Sequence, residues 1–447
     1  MLIRFSVENF LSFNNQVEFS MVPGLVRKHK NHIIYSEKPS GINILKGAVI
    51  YGANASGKSN LIKAVAFARN LIVYGVEPNY AIPIKCFKLE ESCYDHPSKF
   101  QFEFKTNENY YIYGFEISEK FVYSEWLYKT SKNTQKLLFE RRTTEDGETN
   151  IEFGNLNYDD RDDRLLVRIT GRQTRNNQLF LTESIDRNIS HFEDVHRWFR
   201  EVLVTIEPES IYSGYGVSSF KSDDLGKDLV NYISLFDTGI KDINLKDIDE
   251  IRKKSIPNEI LNSISNELKK NDTDEYESFL ISSKERFFIT YEDNNLRIKS
   301  FAFEHNMREG SNGIFLDINE ESDGTKRLLD LVPVLIATKT SNSVFLIDEL
   351  DRSLHPSICY KFFELFFQNI GSESQLIATT HESSLLDLDL FRRDEIWFVE
   401  KNKFGESTIY SLEEFAPRYD KDIRRGYLNG RFGAIPILRN PKDLGWE

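Results

Sequence analysis

The strongest constraint on the fold is an eight-residue run, Gly52-Ala53-Asn54-Ala55-Ser56-Gly57-Lys58-Ser59. It follows the apolar run 48–51, which predicts a buried strand, and precedes 60–67, whose apolar spacing predicts a helix. The run matches the pattern G-x-x-x-x-G-K-[ST] in full, in the strand-turn-helix context that this pattern requires. Backbone N–H groups of such a turn, with the helix N-terminus, bind phosphate oxygens. The sequence therefore predicts a phosphate-binding turn in an α/β fold.

A second site element is an acidic pair, Asp348 and Glu349, directly after the apolar run 344–347. Parallel strands bring their carboxyl ends to one ligand crevice, so we expect this pair to lie near the phosphate-binding turn. Lys58 would then reach the β- and γ-phosphates, while the Ser59 hydroxyl and Asp348 would ligate Mg²⁺. Glu349 would orient and deprotonate the attacking water. The pair therefore predicts hydrolysis of a nucleoside triphosphate.

The nucleotide is expected to be ATP. Small GTPases position water with a glutamine and read guanine with an Asn-Lys-x-Asp stretch, and neither occurs here in that context. Asp351 lies in the loop after the acidic pair, and His381 follows the apolar run 375–378. At a strand end His381 would contact the γ-phosphate or the attacking water, although a lone histidine is more often structural.

Ser322, Gly324 and Thr325 stand just before a long apolar helix. By itself, Ser-x-Gly-Thr at this place is a good helix N-cap. With the N–H groups that open the helix, the same residues would form a second anion-binding surface.

Composition limits the class of protein. The chain has 447 residues and a formal net charge of −13, which argues against a body coated in nucleic acid but leaves room for a local basic patch. The cysteines, Cys86, Cys93 and Cys359, have no metal-ligand spacing and are expected to be reduced structural thiols. No apolar run approaches the roughly 18 residues that cross a bilayer, so we predict a cytoplasmic protein.

The pattern along the chain predicts three regions. Residues 1–187 hold the phosphate-binding turn and a segment of period two, typical of antiparallel strands, with a turn at 107–109. Residues 188–284 are expected to be a compact, mainly helical insert, because Leu261, Ile264 and Leu268 recur at helical spacing. Residues 285–447 begin with a hairpin over 293–295 and carry the later motifs.

The ordered set of motifs resembles the ABC-type ATPase heads of the RecF/SMC group. It comprises Val-Glu-Asn-Phe-Leu-Ser-Phe at 7–13, the turn 52–59, the Ser-x-Gly-Thr signature, the strand 344–349, Asp351 and His381. Segments 125–127, 396–400 and 426–433 extend the similarity to stand-alone AAA-family ATPases of phage-defence operons, the RloA/AbiL type. Many heads of the group carry arginine where this chain has Leu11.

The resemblance implies roles for these residues. Residues 52–59 would hold ATP and Mg²⁺. Ser322, Gly324 and Thr325 would cap the γ-phosphate bound to a second head, with His381 as the switch and Asp351 coupling the two sites. It further implies a homo-oligomer, at least a dimer, and a separately encoded nuclease-like effector, often of the TOPRIM class. The alternative is a RecF-like repair or recombination ATPase that binds DNA directly, and a membrane-transporter motor is disfavoured by the unusual signature.

One arginine series is a candidate recognition surface. The series recurs at spacings of three and four and comprises Arg161, Arg164, Arg168, Arg172 and Arg175. A helix would stack these residues on one face, suited to a phosphate backbone or an acidic partner. Thr170-Gly171 is expected to interrupt that helix, and nearby aspartates offset the charge, so a solvated face is the competing interpretation. Residues 27–30 form a second basic cluster.

Overall fold

A computed structural model defines the fold. It describes residues 1–37, 41–131, 134–144, 146–208, 223–248, 256–257, 261–262, 276–281, 286–292, 295–307, 313–369, 371–418 and 422–436. Across these residues, no helix is both long enough and apolar enough to cross a membrane. The predicted helical positions Ile264 and Leu268 lie outside the described ranges.

The chain divides into two compact units. The first comprises 1–208, 341–351 and 359–447, and the second comprises 209–340 and 352–358. The regions 1–187, 188–284 and 285–447 remain predictions. Their boundaries follow the order of the sequence motifs, whereas the two units are defined by packing.

Residues 1–208 form the largest part of the first unit. In chain order their strands and α-helices are β1 Leu2–Glu8, β2 Val17–Ser20, β3 Ile33–Ile34, β4 Ile44–Leu45, β5 Gly47–Tyr51, α1 Lys58–Tyr74, β6 Ser98–Thr106, β7 Asn109–Ile117, β8 Val122–Ser131, β9 Thr134–Thr143, β10 Thr149–Phe153, α2 Arg161–Gln173, α3 Phe180–Asp186, α4 Glu193–Arg197 and β11 Leu203–Ile206.

The rest of the chain contributes to both units. Its elements are α5 Asp223–Leu235, β12 Ile240–Asp247, β13 Tyr276–Ile281, β14 Arg286–Glu292, β15 Asn295–His305, β16 Ile314–Asp317, α6 Asp323–Ala337, β17 Val344–Ile347, α7 Pro356–Gln368, β18 Gln375–Thr379, β19 Ile396–Lys401, β20 Ser407–Ser411 and α8 Ile423–Leu428.

A seven-stranded antiparallel sheet, in the order β10-β9-β8-β7-β6-β1-β2, occupies the N-terminal part of the first unit. The predicted hairpin turns between β6 and β7, where Asn107 and Glu108 both have positive φ. Period-two alternation buries one face, so Phe100, Phe102 and Phe104 are inaccessible to solvent. The predicted α/β fold with antiparallel strands in its N-terminal lobe is confirmed.

A six-stranded sheet, in the order β11-β17-β18-β5-β19-β20, carries the predicted motifs. Its first five strands pair in parallel, and β20 runs antiparallel to β19. All residues of β5, β17 and β18 are buried. Central strands of a parallel sheet are covered on both faces, which is why their sequences are nearly continuous apolar runs. Because these three neighbours are parallel, the segments that follow them meet at one edge of the sheet.

The second unit combines helices with a five-stranded antiparallel sheet of order β12-β15-β14-β13, with β16 paired to β15. The predicted hairpin appears as β14 and β15, paired through Glu292 and Asn295. Two of the strands, β12 and β13, fall in segment 188–284, so its described residues contain strands as well as helices. The pairing of β12 with the distant β15 overrides the local signal, because β-propensity depends on cross-strand neighbours.

Candidate active site

The phosphate-binding turn joins β5 to α1 as the sequence predicts. Gly57 is the N-cap of α1 and has φ of 114°, a conformation that strains other residues. A Cβ at Gly57 would also lie 2.4 Å from the Ser407 hydroxyl oxygen. Both the backbone conformation and the neighbouring side chain therefore require glycine here, which leaves the N–H groups of the turn open to a ligand.

Lys58 is folded back onto its own turn. Its Nζ donates to the carbonyl oxygens of Gly52 at 2.8 Å and Ala53 at 3.2 Å, and the residue is only 5% exposed. Burial lowers the pKa of Lys58 from 10.5 to about 8, against the opposing effect of nearby carboxylates, Asp348 first among them. A bound phosphate would add a negatively charged partner for this buried ammonium and favour its charged form.

The predicted metal-ligand pair lies together. The Ser59 hydroxyl donates to Asp348 Oδ1 at 3.1 Å, and Thr379 at the end of β18 donates to the same oxygen at 2.5 Å. Asp348 is buried, so these hydroxyls compensate part of its desolvation. Mg²⁺ commonly takes one or two protein ligands, with phosphate oxygens and water completing its octahedron. A carboxylate beside a hydroxyl fits that demand.

Glu349 leaves the strand end in an unusual backbone conformation. Its φ is +48°, uncommon outside glycine, and its backbone N–H donates to the Thr379 hydroxyl at 2.8 Å. The side chain is partly exposed, unlike that of Asp348. The acidic pair is thus divided between a buried carboxylate beside the turn and a more accessible one next to it.

His381 and Asp351 meet after the neighbouring strand ends. The backbone N–H of His381 donates to both Asp351 carboxylate oxygens, at 3.1 and 3.3 Å. Partial burial, followed by the charge of Lys58, lowers the pKa of His381. The lowered pKa favours the neutral imidazole, which can both donate and accept a hydrogen bond.

A buried hydrogen-bond chain supports the turn, and the sequence patterns did not reveal it. Asn60 donates to the Ser12 hydroxyl at 2.7 Å, Ser12 and Ser407 share a hydrogen bond of 2.8 Å, and Ser407 reaches the Ser56 carbonyl at 2.6 Å. Each hydroxyl has one proton, so Ser12 donates to Ser407 and Ser407 donates to Ser56. Ser12 belongs to the quoted segment 7–13, whereas no sequence signal identifies Ser407.

The Ser-x-Gly-Thr signature lies in the second unit and begins α6. The Ser322 hydroxyl accepts the Thr325 N–H at 3.1 Å and lies 2.9 Å from the Thr325 hydroxyl. A Cβ added at Gly324 would come within 2.9 Å of the Ser353 carbonyl oxygen. Ser322 is therefore the N-cap of α6, as the sequence predicts. The role of this signature toward a second copy stays a prediction.

The structure describes both basic clusters, the arginine series at 161–175 and residues 27–30. The predicted interruption at Thr170-Gly171 is wrong, because α2 continues to Gln173 with both residues buried. Arg175 lies beyond the helix end and donates to the Val76 carbonyl at 3.0 Å. In the second cluster, Lys28 pairs with Asp389 at 3.1 Å.

A glycine-rich turn before a helix, a buried aspartate beside its serine and a glutamate after the same strand define a P-loop nucleotide-binding protein of mixed α/β class. The family model described as "AAA domain, putative AbiEii toxin, Type IV TA system" matches residues 48–387. The chain belongs to this family. The predicted AAA family is thereby confirmed, and nucleotide binding, usually with Mg²⁺, follows from it.

Other comparisons add context. No curated protein matches the sequence at a significant level. Among solved structures, the chain is similar to an SmcHead bound to the C-winged helix domain of ScpA, at 12% identity and a TM-score of 0.41, covering 93% of this chain and 99% of that one. It is also similar to the SMC head domain from Thermotoga maritima, at 13% identity and a TM-score of 0.37, covering 92% and 98% of the respective chains.

Proposed function

We propose that this chain binds and hydrolyses ATP at the edge of its six-stranded sheet, in a site that a second copy completes. The observation that carries the proposal is the 3.1 Å hydrogen bond between Ser59 and Asp348, with Lys58 and Glu349 adjacent to that pair in sequence. This hydrogen bond supports a metal-binding role for Ser59 and Asp348, with Lys58 as the phosphate-binding cation and Glu349 as the candidate base. Phosphoryl transfer needs these groups positioned more than it needs covalent chemistry.

Each residue has a separate task in this proposal. The turn N–H groups and Lys58 bind the phosphates, and Ser59 and Asp348 hold Mg²⁺. Mg²⁺, when bound, neutralises charge on the β- and γ-phosphate oxygens. Glu349 orients the attacking water and accepts its proton, while His381 contacts the γ-phosphate side of the site and reports whether that phosphate is present.

Completion by a second copy explains the Ser-x-Gly-Thr signature. The N–H groups that open α6 carry a partial positive charge, and Ser322, Gly324 and Thr325 stand at that end. In a dimer these residues would cap the γ-phosphate held by the partner copy, and Asp351 would link the two sites. Charge-assisted contacts contribute about 1.5–3 kcal/mol each, so a few of them can join two acidic bodies.

The biological role that we propose is regulation of antiphage defence in the cytoplasm. The resemblance to RloA/AbiL-type ATPases supports it, as does membership of a family whose description names a toxin-antitoxin system. The output would come from a separately encoded, nuclease-like effector, of the TOPRIM type in related systems. Direct DNA binding by a RecF-like ATPase is the alternative.

Complementation between two inactive variants tests the composite site. Lys58→Ala removes the phosphate-binding cation, and Ser322→Arg blocks the cap. Mixed in equal amounts, they form dimers with one intact site, built from the turn of the Ser322→Arg copy and the cap of the Lys58→Ala copy. We expect up to about a quarter of wild-type ATPase in the mixture and almost none in either variant alone. A mixture that stays inactive, while both variants dimerise normally, contradicts completion by a second copy.

Glu349→Gln tests hydrolysis separately. This variant should bind MgATP, lose turnover by at least about 100-fold and accumulate as an ATP-bound dimer in mass photometry. Turnover at the wild-type rate would refute the role of Glu349. ATPase stimulation by DNA without any partner protein would favour the RecF-like alternative, whereas toxicity only on co-expression with the neighbouring open reading frame would favour the defence role.

A further inference from the structure

Helix α2 exposes a mixed basic and aliphatic surface. Only Val167, Thr170 and Gly171 of this helix are buried. Its exposed residues, here named the α2 face, are Arg161, Asp162, Arg164, Leu165, Leu166, Arg168, Ile169, Arg172 and Gln173. Leu165, Leu166 and Ile169 are 53%, 42% and 42% exposed, an uncommon cluster of large aliphatic side chains for one short helix.

Gly171 fixes how α2 sits on the sheet. A Cβ at this position would lie 2.8 Å from Ile151 Cγ2 and 3.0 Å from Phe153 Cζ, so the helix backbone approaches β10 closely. This close approach buries the narrow small-residue side of the helix. It thereby turns the three aliphatic side chains away from the sheet.

Four aspartates, Asp159, Asp160, Asp162 and Asp163, cluster at the start of α2. Asp160 caps the helix by accepting the N–H groups of Asp162 and Asp163. The Asp163 carboxylate accepts the Asp159 N–H at 3.0 Å and contacts His191 at 2.8 Å. The negative charge of this segment is therefore concentrated at the start of the helix.

The arginines farther along remain available. Among the residues that the structure describes, Arg168 and Arg172 form no ion pair, and the Arg164 guanidinium lies 5.8 Å from the centre of the Tyr158 ring. From residue 164 to residue 173 the helix carries three arginines and no acidic residue, so this part presents a local cationic surface on a chain of net charge −13.

A cavity of about 550 Å³ adjoins the face. Ile151, Phe153, Leu156 and Tyr158 supply an apolar part, and Arg164 and Arg168 supply cations. Glu152 is the one carboxylate among the lining residues. The lining is mainly polar with a smaller apolar part, which suits carboxylates that pair with the arginines and one apolar side chain that packs on the apolar part.

We propose that the α2 face is the docking surface for an acidic segment of a partner protein, anchored by one aromatic or aliphatic side chain in the adjoining cavity. Charge complementarity selects the acids, and the cavity selects the anchor. A nucleic-acid backbone would pair with the arginines but leave Leu165, Leu166 and Ile169 unused. An anionic membrane would accept those side chains but could not fill the cavity. The docking surface does not depend on ATP turnover.

A random library of 12-residue peptides tests this proposal. The library is first depleted of peptides that bind the double variant Arg164→Glu/Arg168→Glu, and binders are then selected on the immobilised full-length wild-type chain. Enriched peptides should contain at least three carboxylates and one large apolar residue. Their affinity, measured by fluorescence anisotropy, should fall at least 10-fold in the double variant and in Leu166→Ser. Lys129→Glu, an exposed charge reversal on β8, should leave it unchanged.

Parallel measurements test whether a nucleic acid or an anionic membrane binds the α2 face instead of a peptide. A 20-residue oligo(dT) and vesicles containing 30% phosphatidylserine are titrated against the same variants. Peptides without an acidic bias, or equal binding by wild-type and double variant, would overturn the proposal. So would oligo(dT) or vesicle binding that the arginine variants abolish while the selected peptides still bind. ATPase rates of the same variants should match wild type, so loss of docking is distinguishable from loss of catalysis.

Discussion

Replacing Lys58 by methionine should stabilise the ligand-free protein. The ammonium is buried and, among the described residues, its hydrogen bonds go to two backbone carbonyls, while burial lowers the pKa of Lys58 from 10.5 to about 8. That difference corresponds to about 3 kcal/mol of disfavoured charge at pH 7. The two hydrogen bonds return about 1–3 kcal/mol. We therefore expect Lys58→Met to raise the free energy of unfolding by about 1 kcal/mol at pH 7.

The pH dependence is the sharper form of this prediction. Between pH 8 and 10.5 the unfolded chain keeps the lysine proton while the folded chain has released it. The free energy of unfolding of the wild type must therefore rise with pH in that window. From pH 7 to pH 9.5 the wild type should gain about 2 kcal/mol relative to Lys58→Met, because every other titrating group cancels in the difference.

Urea unfolding followed by tryptophan fluorescence measures this difference. Trp126, Trp198 and Trp397 all lie in the first unit, which also contains Lys58, so the signal reports the relevant unit. Lys63→Met, on the exposed side of the same helix, is the matched control and should show no such change. The argument that Lys58 is held as a destabilised buried cation would be refuted if the stability of the wild type relative to Lys58→Met changes by less than about 0.5 kcal/mol between pH 7 and pH 9.5, or falls over that range.

Three further outcomes follow from the contacts. Ser407→Ala removes the donor to the Ser56 carbonyl and should weaken MgATP binding about 5- to 30-fold by isothermal titration, whereas affinity within twofold of wild type would contradict a positioning role. Thr379→Val deprives the buried Asp348 of a hydroxyl donor and should raise the Mg²⁺ concentration for half-maximal ATPase severalfold; an unchanged Mg²⁺ dependence would count against it. Gly171→Ala should lower the free energy of unfolding by about 1–3 kcal/mol through overpacking, and unaltered stability in urea would show that the close approach is not required.

The sequence alone was sufficient for the parts of the site that depend on local chemistry. The turn 52–59 and the pair after 344–347 are contiguous, and each is preceded by an apolar strand, so the parallel-sheet rule alone brings them to one edge. Their meeting at Ser59 and Asp348 required no further information. The antiparallel strands of the N-terminal part were likewise readable, because alternation directly records which face is buried.

Other features depend on contacts between residues distant in sequence. The strand character of 240–247 arises from pairing with β15, and the continuity of α2 through Gly171 arises from the close approach of β10. Local propensity assigns neither, because a glycine that weakens an isolated helix is favoured where another backbone or side chain must come near.

What the sequence by itself determined is the chemistry of the nucleotide site, since residue types at fixed spacing on a strand-turn-helix unit suffice to specify it. What only the tertiary structure decided is how that site is supported. Ser407, 351 residues after Ser56, completes the hydrogen-bond chain beneath the turn, and burial shifts the pKa of Lys58. Burial and long-range hydrogen bonding are properties of the folded packing, and no short segment encodes them.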